Sequence, residues 1–431
     1  MELPSTPKEL RNSIVDMIQK YDMPNDPYLK MLDYVVELFE KQGLGIKYYG
    51  YHNVMHELEV TYVSMLASST DSKMTFEDMK YLYVAALLHD FEPQKDNDKP
   101  HEQKVTKFIS NDATLQNFIS RTGLSSDIIE ALILRTAYPW EGKIMESSMR
   151  IIDARISKED DKNDLLEKGL FLSIVDRISG YSLGGFTKGM EMAKKNSHAL
   201  GWHPANIVRR TVEYFERMMN NETVMFNRIV RQMPKLMRDN LMDNIISFMK
   251  LRQMEINTMA KYLDGDLKLV PIIEKPHLRS DADFINNLET IYNELPGPLQ
   301  VNREHFKETL VDKDTILTTL RHDDADGEII GYAKGGPLEM YNIEPMRKDE
   351  NYGKNNTVFL ESFAIKMGYW GMHGGSEMRH MFTMQAHSKN YTYLTSFAHR
   401  DVINMRIRNL EDAEFIVKFD PEKWDYYRTK L

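Results

Sequence analysis

The 431-residue chain contains no cysteine. That absence excludes disulfides, thiolate nucleophiles and sulfur-ligated zinc, so a metal could be held only by nitrogen and oxygen. Long hydrophobic runs are missing too: none approaches the roughly 18 apolar residues of a membrane span. The opening MELPSTPKEL lacks the basic and apolar segments of a signal peptide. The expectation is a cytoplasmic protein with no membrane partner. A net positive charge is absent as well, since the formal net charge is −10. This gives no overall reason to bind nucleic acid, although a local basic patch stays open. A small phosphorylated substrate fits such a balance because it needs only a few local cations. No internal repeat or low-complexity tract is visible.

What is present is globular in character, with 42% hydrophobic and 28% charged residues. Single cores stop growing at about 250–300 residues, so the length predicts two or three domains. The 29 methionines include a helical series, Met237, Leu241, Met242, Ile245 and Met249, that reads as core filling. As far as about Leu263 apolar residues recur at three- and four-residue intervals, as in Met31, Val35, Leu38 and Phe39, or Val208, Val212, Phe215 and Met219. This predicts an all-α domain over 1–264. Segment 265–283 has two prolines and no helical stripe, and reads as a linker. Residues 284–431 read as α/β, with helices around Phe284–Glu294 and Glu304–Leu310. Strands are predicted at Ile316–Arg321, Glu328–Lys334, Thr357–Lys366 and Tyr391–Phe397.

Three short pieces carry the chemistry: Tyr51-His52-Asn53-Val54-Met55-His56, then His89-Asp90 closing the apolar run Tyr83–Leu88, then Asp176 in Leu172–Arg177. Two imidazoles and two carboxylates, His56, His89, Asp90 and Asp176, are the inventory of a hydrolytic metal site. They would leave a divalent ion formally neutral, with room for water. Such an ion gathers phosphoester charge and lowers the pKa of its water from about 15.7 to roughly 7. His52 lies four residues before His56, on the same face if the segment is helical. Singly, each residue has a bland reading: a core histidine, an arginine partner for Asp90, a surface pair for Asp176-Arg177. Asp153, in Arg150–Arg155, is the reserve for the last carboxylate. Glu92 and His101 are secondary metal candidates, equally readable as solvated loop residues. Lys95, Lys99, Arg135 and Arg177 are candidates for holding phosphate oxygens, although charged loop residues are usually just exposed.

The order H…HD…D resembles the HD superfamily of metal-dependent phosphohydrolases, and YHNVMHELEV is similar to the YHNxxHxxxV segment of cyclic-nucleotide phosphodiesterases. The resemblance covers about half the chain. It implies one or two divalent ions (Mn, Fe, Mg or Zn) and Asp176 as the last ligand. It further implies attack of a metal-bound hydroxide on a nucleotide or other small phosphoester, with His52 as general acid and Asp90 at the reacting centre. After His89-Asp90 the chain reads Phe91-Glu92-Pro93-Gln94 instead of the Asp-His pair of those phosphodiesterases, which leaves a second ion and a cyclic nucleotide open.

In the second half, Leu360–Ile365 followed by Tyr369-Trp370-Gly371-Met372-His373-Gly374-Gly375-Ser376 resembles the fourth strand and pyrophosphate loop of GNAT acetyltransferases. The resemblance implies acetyl-coenzyme A held at Gly371, His373, Gly374, Gly375 and Ser376, where backbone N–H groups at a helix N-terminus meet phosphate. Glu361 is the implied general base. Trp370 and His373 depart from the family's R/Q-x-x-G-x-G/A, and Asn409 and Leu410 stand near the place of its acidic Tyr. The leading expectation is a phosphohydrolase with an appended GNAT-like domain, active or ligand-sensing. The alternative is an acyl-CoA-dependent N-acyltransferase with the helical part as a regulatory nucleotide-binding module. A third reading, a di-iron oxygenase, would need Glu92 and His101 as added ligands. No motif indicates an oligomeric state.

Overall fold

The computed structural model describes residues 3–45, 48–91, 102–200, 204–275, 281–408, 412–418 and 424–431. The chain forms two compact units, Met1–Met249 and Lys250–Leu431.

The first unit is helical throughout its described residues. Its elements are α1 (Pro7–Lys20), α2 (Lys30–Lys41), α3 (Val54–Thr70), α4 (Phe76–Leu88), α5 (Glu102–Asn111), α6 (Ala113–Thr122) and α7 (Ser126–Arg135). They continue with α8 (Gly142–Arg155), α9 (Glu159–Ser182), α10 (Phe186–Ala199), α11 (Ile207–Asn221), α12 (Thr223–Gln232) and the start of α13 (Lys235–Asp264). Helix α3 is the central one, buried on nearly every face from Val54 to Ser68, as expected of a helix without a one-sided apolar stripe. Its start is set by Asn53, whose Oδ1 accepts the His56 backbone N–H at 3.1 Å. Thr75 and Asp78 form a reciprocal capping box at the start of α4. Helix α9 carries three acidic residues in its first turn and is mostly buried from Leu165 onward. Packing of α3 against α4 and α9, and of α7 against α4 and α9, brings the first turn of α3, the end of α4 and the middle of α9 together.

The second unit contains β1 (Leu269–Ile273), α14 (Ala282–Tyr292), α15 (Phe306–Val311), β2 (Ile316–His322), β3 (Ile329–Pro337), α16 (Glu344–Arg347) and β4 (Thr357–Ile365). After these come α17 (Gly374–Ser388), β5 (Tyr393–His399), α18 (Arg400–Arg408), β6 (Ala413–Lys418) and β7 (Trp424–Lys430). One seven-stranded sheet has the order β1-β2-β3-β4-β5-β7-β6. Pairing is antiparallel except between β4 and β5. That parallel pair holds only from Thr357↔Tyr393 to Leu360↔Ser396, after which the two strands continue unpaired with each other. One cluster packs Met378, Phe382 and Ala386 of α17 on Ile316, Leu320 and Ile330. A second packs Leu288 and Tyr292 of α14, with Phe306 and Leu310 of α15, on Leu317 and Tyr332.

The predicted strands Ile316–Arg321 and Thr357–Lys366 agree with β2 and β4 within a residue, while β5 begins two residues later than Tyr391. The segment read as a linker is corrected in part: residues 269–273 form β1, in register with Ile273↔Thr318 through Leu269↔His322. Pro271 is tolerated there because β1 is an edge strand and a missing N–H costs nothing on the open side. Among the described residues no helix is long and apolar enough to cross a membrane.

Candidate functional site

The three sequence pieces converge. His56 lies in the first turn of α3, His89 caps the C-terminus of α4, Asp90 follows it, and Asp176 comes from the middle of α9. One ligand atom from each of these four residues lies within 4.8 Å of all the others. His56 Nε2 is 3.0 Å from Asp176 Oδ1 and 3.4 Å from Asp90 Oδ2. His89 Nε2 is 3.3 Å from Asp90 Oδ2 and 3.5 Å from Asp176 Oδ1. Both imidazoles are 1% exposed, whereas the carboxylates keep 13% and 19% of their side-chain surface. The site therefore opens to solvent on its acidic side.

The donor set fits a divalent cation. His89 Nδ1 lies 2.8 Å from the Ala86 carbonyl and 3.1 Å from Glu57 Oε2, which places its proton on Nδ1 and turns the Nε2 lone pair toward the two carboxylates. A lone pair facing anionic oxygens at this range is repulsive unless a proton or a metal stands between them. Without a metal, protons take that place. Burial depresses His56, but the hydrogen bonds and charges of Asp176 and Asp90 outweigh it and raise the imidazole from 6.5 to about 9. His89 is likewise depressed by burial and raised well above its ordinary value by Asp90 and Glu57. Burial pushes Asp90 up, and the neighbouring His89 and His52 bring it down to about 2. Asp176 ends well below the usual range, with burial opposed by its bonds to His56 and His89.

His52 is near this group but not on the helix face that spacing suggested. Because Asn53 caps α3, His52 stands in the turn before it, with Nε2 3.6 Å from Asp90 Oδ2 and its side chain 8% exposed. The ring of Tyr51 packs on His56 at 4.4 Å between centroids. Among the described residues the bland pairings of the two acids are not seen. Asp90 faces His52, His56 and His89, and Asp176 turns away from Arg177, which pairs with Glu222 at 2.7 Å. Asp153, the reserve ligand, is outside the cluster: half exposed, it pairs with Lys162 at 2.7 Å. Glu92, His101, Lys95 and Lys99 lie outside the described residues.

Sequence reasoning missed Glu57. It is fully buried and pairs with the outer nitrogen of His89, and burial raises its carboxyl while His89 opposes the rise. Its neighbour on the same helix, Glu59, has Lys188 at 2.5 Å. The signal was present in two acids, Glu57 and Glu59, inside a run otherwise too apolar to be surface.

In the second unit, residues 366–373 connect β4 to α17. Gly371 has φ +82° and His373, the N-cap of α17, has φ +60°. The Ser376 N–H donates to the His373 carbonyl at 3.0 Å. Gly374 is small for a packing reason: a Cβ there would stand 2.5 Å from Leu320 Cδ2 and 3.0 Å from Leu269 Cδ1. Gly375 has a looser fit, with Ile365 Cδ1 at 3.2 Å from such a Cβ. Trp370 donates its indole N–H to the Ile365 carbonyl at 2.5 Å, so it ties down the loop. Glu361 is enclosed. Both carboxylate oxygens lie 2.6 Å from the buried Lys334 ammonium, and one also accepts from Tyr341 at 2.9 Å and Thr309 at 3.2 Å. This is the geometry of a buried ion pair, and it argues against the general-base role implied for Glu361. Asn409 and Leu410 lie outside the described residues, just beyond α18.

No family model matches the chain, and no curated protein does. Solved structures of GNAT acetyltransferases are similar to part of it. An acetyltransferase of the GNAT family from Staphylococcus aureus is 12% identical over 38% of this chain and 99% of its own, with a TM-score of 0.26. A ribosomal-protein-alanine N-acetyltransferase from Brucella melitensis is 16% identical over 38% and 99%, TM-score 0.25. An IAA acetyltransferase from Bacillus cereus is 8% identical over 38% and 100%, TM-score 0.25. None of the three extends beyond that share of the chain, and at this identity they leave its activity open.

Proposed function

We propose that the Met1–Met249 unit is a divalent-metal-dependent phosphohydrolase acting on a nucleotide or other small phosphoester. The observation that supports it is the convergence of His56, His89, Asp90 and Asp176 within 4.8 Å. A bound divalent ion would gather the charge of a phosphoester and lower the pKa of a water. The protein's own groups do the rest. Ala86 and Glu57 hold the His89 proton on Nδ1 and so keep Nε2 facing the ligand group. Tyr51 packs against the His56 ring and fixes its orientation. His52, mostly buried and 3.6 Å from Asp90, is positioned to keep a proton on Nε2 and deliver it to the leaving oxygen. The test is metal content of the purified protein with phosphate release from a nucleotide panel, beside His56→Ala/Asp90→Ala. The double variant should lose metal and hydrolysis together, and His52→Ala should keep the metal and lose hydrolysis. Hydrolysis that persists without metal would overturn the reading.

A second reading concerns Lys250–Leu431, and the separation of β4 from β5 beyond Leu360 and Ser396 favours it. Strands that part in this way present unpaired backbone N–H and C=O groups to an extended ligand, and the glycine turn before α17 would receive its phosphates. An acyl-coenzyme A has both features, and N-acyl transfer is the reaction that goes with it. The names of the similar solved structures belong to this reading, while the phosphohydrolase reading depends on its own four residues. Titration of the full chain with acetyl-coenzyme A tests it. Tight binding by a chain that takes up no metal would make acyl transfer the main activity and the helical unit a regulatory module.

A further inference from the structure

Beside the four-residue cluster lie two buried guanidiniums, of which only one is paired with a carboxylate. Arg177, next after Asp176 on α9, is 4% exposed. Its Nε donates to the Ser173 carbonyl at 2.9 Å, its Nη1 pairs with Glu222 at 2.7 Å, and its plane lies 4.4 Å over the Tyr138 ring. Arg135, the last residue of α7, is 8% exposed and lies 4.5 Å over Trp140. Its stem runs against Gly169 of α9, where an added Cβ would come within 2.5 Å. Among the described residues it has neither an ion pair nor a hydrogen bond through its guanidinium.

Both arginines thus stack on one short segment, 138–140, whose Tyr138 and Trp140 are half-buried and open the group to solvent. Tyr214 lies beside both groups: its ring meets Tyr138 at 5.6 Å, and burial raises its hydroxyl well above the ordinary value, with Arg177 opposing the rise and Asp176 adding to it. Two cations beside one carboxylate leave the Arg135 charge without an ionic partner among the described residues, in a largely buried setting. Burial and the nearby Arg177, opposed by Glu222, pull Arg135 from 12.5 to about 10. A buried cation without a carboxylate is costly to keep, and a guanidinium offers the planar fork of donors that matches phosphate oxygens.

We propose that Arg135 and Arg177 form an oxyanion subsite that receives a phosphoryl group of the substrate. Only the statement that this group belongs to the substrate of the neighbouring cluster rests on the hydrolytic reading. Occupancy of the subsite itself does not.

Inorganic phosphate is the probe, titrated calorimetrically into the full chain after exhaustive chelation of metals. Phosphate should bind without metal, Arg135→Gln should weaken it at least about tenfold, the loss expected for a charged hydrogen-bond donor, and Glu222→Gln should tighten it. His56→Ala/Asp90→Ala should leave it bound. Should Arg135→Gln fail to fold, Arg135→Lys, which keeps the charge but loses the fork, is expected to weaken binding, and Glu222→Gln still reads the opposite direction. Phosphate that binds only with metal present, or with equal affinity in the Arg135 and Glu222 variants, would overturn the subsite. Arg135-dependent phosphate binding by a protein that never takes up metal would sustain the subsite while removing the hydrolytic reading.

Discussion

Glu57 illustrates how much one carboxylate can do from outside the four-residue cluster. It has no surface, and its described partner is the outer nitrogen of His89. Removing its charge lets the imidazole turn and lowers its basicity, and such outer partners are typically worth about 10–100-fold in metal affinity. Glu57→Gln should therefore weaken metal binding by that order in chelator competition, with helical content unchanged in circular dichroism. Lys334 makes a different prediction. Burial, only partly opposed by Glu361, lowers its ammonium from 10.5 to about 8. Between these values the unfolded chain holds a proton that the folded chain has released, so this group's contribution to stability rises from pH 8 to 10.5. The neutral pair Lys334→Met/Glu361→Gln should remove that rise, as read from urea midpoints of the full chain at pH 8 and 10. The four converging residues were legible because histidine and aspartate stand side by side after a long apolar run. Glu57 was harder to read, because a glutamate beside a histidine suggests a solvated face until the apolar run around it is weighed.

At the scale of elements, the capping of α3 decides where His56 goes. Asn53→Ala removes the acceptor of the His56 N–H, and should cost about 1 kcal/mol in thermal or urea unfolding while loosening the metal. The same cap explains why four-residue spacing misplaced His52: periodicity reads a face, but the first turn had not yet begun. Gly374 makes the complementary point. Its place in a glycine-rich loop suggested close approach of backbone to phosphate, yet a side chain there would run into Leu320 and Leu269. Gly374→Ala should destabilise the chain by about 1–3 kcal/mol, the usual cost of overpacking, whether or not coenzyme A is present. Strand β1 was hidden by Pro271, since a proline argues against a strand until the strand is known to be an edge. Strands β2 and β4 carried no such conflict and were read within a residue, whereas β3 runs three residues past Lys334, β5 is shifted by two, and β7 had no predicted range.

For the whole molecule, the change from helical to α/β pattern was legible because the hydrophobic period changes, although the two compact units divide at Met249, inside the long helix α13, where no break in period exists. Two separately cored units should give two unfolding transitions in calorimetry. If the metal belongs to Met1–Met249, chelation should lower one transition and leave the other where it was, and a uniform shift of both would contradict that division.

The four candidate ligands come from the start of α3, the two residues that follow α4, and α9, spread between His56 and Asp176. A ribosome must therefore release the chain beyond Asp176, with α9 docked on α3 and α4, before any ion can be captured. Metal uptake would then come late in biogenesis, closing a loop of more than a hundred residues whose ends have already been brought together by packing. Starvation for metal during synthesis should leave a folded, fillable protein instead of a misfolded one.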